Sequence, residues 1–103
     1  MNLEEIFTDS EELEVAKRIL QAVPNDTGKF PFFDATRGGI VHNAYREDIP
    51  FFSGVEGIDD FLKGKEIYCR DHHIFSQMEQ AKFIKIARYD EQGPLYIKSR
   101  GEA

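Results

Sequence analysis

Apolar residues recur at helical spacing between Thr8 and Pro24. At about 100° per residue, one half of the wheel collects Leu13, Val15, Ala16, Ile19, Leu20, Ala22 and Val23. Thr8 with Glu11, or Asp9 with Glu12, has the spacing of a capping box, and Pro24 ends the helix. We therefore expect an amphipathic helix of about four turns, lying on an apolar surface supplied by the protein's own sheet.

Strand-like patterns dominate the rest of the chain. Segments Phe30–Phe33 and Ile40–Arg46 flank the turn Arg37-Gly38-Gly39 and predict a hairpin, followed by a loop over 47–57. In Phe83–Tyr89, Ile84 and Ile86 align on one face only if the segment is extended. The further predicted elements are short helices at Ile58–Leu62 and Ser76–Lys82 and strands at Lys65–Arg70, Phe83–Tyr89 and Leu95–Lys98.

This order of elements predicts an α+β protein. We expect one domain over residues 1–103 with a frayed tail at 99–103, since 103 residues bury a single core. The N-terminal amphipathic helix would pack on a mainly antiparallel sheet of about five strands, with one or two short helices. The chain has no apolar run long enough to span a membrane, an acidic N-terminus and a single cysteine, which together favour the cytoplasm.

Charge is unevenly distributed along the chain. The formal net charge is −6, but residues 1–60 hold 13 acids against 5 bases, whereas residues 61–103 carry a net +2. An acidic surface disfavours binding to nucleic acid or to anionic membranes, because phosphate contacts need clustered Lys and Arg. It favours a basic protein partner, although acids also gather in the first turns of helices for structural reasons.

Aromatic residues concentrate in the same acidic half. Seven of the 13 Phe and Tyr residues lie between Phe30 and Phe61. In adjacent pairs within an extended chain, one ring points away from the other, so burying every ring is difficult in a domain of this size. Two such aromatic pairs and one acidic pair form the predicted partner or ligand surface: Phe32, Phe33, Phe51, Phe52, Asp59 and Asp60. Full burial of the rings, and helix capping by Asp59, are the structural alternatives.

One short segment gathers side chains that bind metals. Cys69, Asp71, His72 and His73 lie within five residues, and His42 could join them. Zinc or another transition metal uses these ligand types. If a strand continued through the segment, Cys69, Asp71 and His73 would share a face. No second CxxC or HxxxH pair supports the site, so an exposed polar strand end is the alternative. A nucleophilic Cys69 with a histidine base is a further possibility.

Two functional hypotheses follow. The first is a small, non-catalytic cytoplasmic interaction domain, such as a regulator, an adaptor, or an antitoxin- or immunity-like protein. It would bind a basic protein partner or a second copy of itself, and neither nucleic acid nor membrane. The alternative is a metal- or small-ligand-binding protein, or an enzyme, that uses the segment from Cys69 to His73 with His42. A subunit that works only within a larger assembly remains a third hypothesis.

Overall fold

A computed structural model describes residues 2–25, 40–41, 51–52, 54–63, 68–69, 72–90 and 93–99. Four helices and five strands are found within these ranges. In chain order they are α1 (Leu3–Ile6), α2 (Ser10–Ala22), β1 (Ile40–Val41), β2 (Phe51–Phe52), α3 (Gly54–Leu62), β3 (Tyr68–Cys69), α4 (His72–Gln80), β4 (Ile84–Asp90) and β5 (Gly93–Lys98). The class is α+β, as the sequence predicted.

The N-terminal helices begin with side-chain caps. Asp9 caps α2 by accepting a hydrogen bond from the backbone N–H of Glu12 at 2.9 Å, so the second of the two predicted cap spacings is the one used. The sequence analysis missed α1. Its N-terminus is a full capping box, in which Asn2 Oδ1 accepts from Glu5 N–H at 3.1 Å and Glu5 Oε1 accepts from Asn2 N–H at 3.3 Å.

The C-terminal hairpin forms as predicted. β4 and β5 pair antiparallel, and Ile84 and Ile86 lie opposite Lys98 and Tyr96 on one face of the ladder. A bulge at Ala87 shifts the register before Arg88, which pairs with Leu95.

The predicted single sheet of about five strands is wrong. The antiparallel sheet is the β4–β5 hairpin with the two-residue β1 at its β5 edge, while β2 and β3 form a separate parallel pair. Residues Phe51–Phe52 were expected in a loop, yet they pair with Tyr68–Cys69. A parallel pair needs a long crossover, which α3 supplies here. Strand pattern alone does not show which segments pair.

The hairpin predicted between Phe30–Phe33 and Ile40–Arg46 stays a prediction, because only Ile40 and Val41 of these two segments are described. Ile40 and Val41 pair with Tyr96 and Leu95 of β5. The proposed other arm, Phe30–Phe33, lies outside the described residues, as does the tail beyond Ser99. At the end of β5, Lys98 N–H donates a hydrogen bond to the carbonyl of Pro24 at 2.8 Å. This bond ties the chain just after α2 to the sheet.

Helix α2 packs on other helices rather than on the sheet as predicted. Its contacts are chiefly with α3, α4 and α1, and α4 in turn lies against β4. The apolar half predicted for α2 is otherwise correct: Val15, Ala16 and Ile19 are buried, although Ala22 is exposed. The remaining helices and the sheet add to the same core through Ile58, Phe61, Ile74, Phe75, Met78, Ile84, Tyr96 and Ile97.

Candidate functional site

The first three helices carry most of the acidic side chains that the structure describes. None of these carboxylates is buried: they belong to Glu4, Glu5, Asp9, Glu11, Glu12, Glu14, Glu56, Asp59 and Asp60. Three cations, Lys17, Arg18 and Lys63, lie on the same elements, so residues 2–25 and 54–63 carry a net charge of −6. We call the nine acidic residues the acidic helical surface.

Ion pairs link the three helices into one surface. Glu4 of α1 lies 3.8 Å from Lys17 Nζ of α2. Arg18, the next residue of α2, hydrogen-bonds through Nη1 to Asp59 Oδ2 of α3. Arg18 Nε also lies 3.4 Å from Glu14 Oε1, one turn back on α2. Because α1 and α3 both contact α2, the carboxylates of all three helices belong to adjoining surfaces.

Asp59 stabilises the protonated form of Arg18. The hydrogen bond that Arg18 donates to Asp59 raises the pKa of Arg18, partial desolvation opposes the rise, and the charges of Asp59 and Glu14 add to it. Arg18 therefore stays charged and is neutralised by two carboxylates. The helix-cap role considered for Asp59 is wrong, because Asp59 lies within α3 and binds Arg18, whereas its place in a partner surface stays a prediction.

A carboxylate of α2 also lies at the start of α3. Gly54, the first residue of α3, has a φ of +79°, and its ideal Cβ position is 3.1 Å from Glu11 Oε1. The left-handed backbone and the close carboxylate both favour glycine here. Glu11 places negative charge at the positive end of the α3 dipole, which is favourable. Together with Arg18–Asp59, this contact shows that α2 and α3 run in the same direction.

The aromatic part of the predicted surface is only partly described. Phe51 and Phe52 form β2, immediately before α3, and their backbone pairs with Tyr68 and Cys69. Phe32 and Phe33 lie outside the described residues. The structure thus places the Phe51–Phe52 backbone and the acidic pair Asp59–Asp60 on consecutive elements.

The predicted metal-binding segment is divided between two elements. Cys69 ends β3 and α4 begins at His72, so the strand does not continue through to His73 as the shared-face hypothesis required. The helix starts earlier than the predicted Ser76. His73, in the first turn of α4, places Nε2 at 2.9 Å from Glu12 Oε2 of α2, with 47% and 40% of these side chains exposed. His42 and Asp71 lie outside the described residues.

A metal site does not emerge from the side chains that are described. Within that part of the chain, no three His, Cys, Asp or Glu residues are grouped so as to hold a metal ion. The Glu12–His73 pair supplies two ligands, where structural zinc sites use four. Similarly, none of the described helices is long and apolar enough to cross a membrane.

The sequence analysis missed the residues that connect the helices. Glu11 and Glu12 were noted only for their cap spacing, and Glu14 and Arg18 were counted among the charged residues of the N-terminal half. The side chains of Glu11 and Arg18 reach α3 and that of Glu12 reaches α4, contacts that no local spacing reveals. The one available signal was the high density of acids in residues 1–60.

No protein-family model, curated protein or solved structure matches this chain.

Proposed function

We propose that the protein is a small, non-catalytic interaction domain whose acidic helical surface binds a basic protein. The observation that carries the proposal is the concentration of charge: the described parts of α1, α2 and α3, with the residues flanking them, carry a net −6, equal to the formal charge of the whole chain. A cytoplasmic location is part of the same proposal, favoured by the single cysteine.

Accessibility supports a binding role for these carboxylates. Every one of the nine is exposed or half-buried, and Glu56 on α3 is exposed. A surface of one sign steers an oppositely charged partner and raises its association rate, especially at low salt. Internal ion pairs with Lys17 and Arg18 neutralise part of the charge, but a large acidic excess is left for a partner.

Like charges on α3 point in the same direction. Glu56 and Asp60 are four residues apart and so are neighbours on the helix surface, where like charges cost about 0.2–0.5 kcal/mol of helix stability. A basic partner would remove this repulsion on binding. The backbone of Phe51 and Phe52 lies directly before this helix, and we include both residues in the proposed surface as its aromatic part.

Paired charge reversals test the proposal. Glu4→Lys and Glu56→Lys, combined in one variant, alter the acidic helical surface away from the Arg18–Asp59 contact. Glu79→Lys is the control. It lies on α4, outside that surface, and changes the net charge by the same amount as each of the two other substitutions. Each protein is used to capture partners from a host lysate at low salt. Basic proteins identified by quantitative mass spectrometry are then purified and titrated against all three proteins.

We expect a purified basic partner to bind the parent chain and Glu79→Lys alike, and the double variant at least tenfold more weakly, with added salt weakening the complex. Equal binding by all three proteins would show that the acidic helical surface does not take part in binding the partner. A captured enzyme substrate or a stoichiometric metal in native mass spectra would instead favour the ligand-binding hypothesis.

A further inference from the structure

We draw no further inference here: the strongest candidate, the carboxyl edge of the parallel β2–β3 pair where α3 and α4 begin, rests only on two helix N-termini approached by Glu11 and Glu12 of α2, with no second observation among the described residues that indicates a ligand.

Discussion

Arg18 of α2 donates a hydrogen bond to Asp59 of α3, joining two helices whose paired residues are 41 positions apart in sequence. Glu14 lies on the other side of the same guanidinium, 3.4 Å from Nε. One cation thus holds two carboxylates of an otherwise repulsive surface. The pair belongs to the fold as much as to the proposed interaction surface, and its removal would leave the nearby carboxylates with less positive charge to offset them.

We expect Asp59→Asn to lower the thermal midpoint modestly and Arg18→Gln to do the same. The double variant should lose less than the two single variants together, because both remove one shared interaction. Both side chains are about one-third exposed (35% and 34%), so added salt should shrink the coupling. Melting curves of the four proteins at two salt concentrations measure it. Glu56→Gln, on the same helix, is the control, and additive losses would argue against a shared pair.

Gly54 is the most constrained glycine that the structure describes. Gly54→Ala should destabilise the protein by about 1–2 kcal/mol, since φ of +79° is unfavourable for an L-residue. The added methyl would also press on Glu11, whose Cδ lies 3.3 Å from the ideal Cβ position. Chemical denaturation of Gly54→Ala, Glu11→Ala and the double variant separates the two causes. If Glu11→Ala abolishes the loss entirely, the contact and not the backbone is responsible.

Lys82 offers a site for stabilisation. It has a φ of 68° just after α4, and the hydrogen bonds Phe83 N–H to Met78 O at 2.9 Å and Lys82 N–H to Glu79 O at 3.0 Å define a Schellman motif. Lys82→Gly should raise the free energy of unfolding by roughly 0.5–1 kcal/mol, because relief of the left-handed strain exceeds the entropic cost of glycine. Lys85→Gly within β4 should do the reverse. A lower stability for Lys82→Gly would contradict the assigned backbone conformation.

Phe75 connects α4 to both neighbouring layers of the core. Its ring centroid is 6.2 Å from that of Phe61 on α3 and 5.2 Å from that of Tyr96 on β5, and the residue is fully buried. Phe75→Leu should cost about 1–3 kcal/mol, since it removes these ring contacts and leaves unfilled volume. Tyr89→Leu, at an exposed site on β4, should change stability by less than about 0.5 kcal/mol. Similar losses for the two variants in urea titrations would show that Phe75 is not a central packing residue.

The elements that the sequence predicted well share one property: their signals are local. The periodic apolar residues of α2, its Asp9 cap and the alternating isoleucines of β4 act over a few residues, within the span of one helical turn or one strand pair. The α+β class and the acidic character of the N-terminal half followed from the same kind of observation. The missed helix α1 also has a local signal, the Asn2–Glu5 capping box, which the spacing of S/T/D/N and E/Q residues could have revealed.

Only the tertiary structure decided which elements meet. The sequence pattern placed α2 on a sheet, whereas it packs on α3, α4 and α1, because an apolar stripe specifies burial and not the partner that covers it. The parallel pairing of β2 with β3 and the antiparallel addition of β1 to β5 depend on backbone hydrogen bonds, which carry no side-chain signature. In the same way, Arg18 meets Asp59, and Glu12 meets His73, because helix packing brings distant residues together. The sequence alone thus determined the charge and the amphipathicity of the helices. The tertiary structure decided which of these side chains contact one another and so form a common surface.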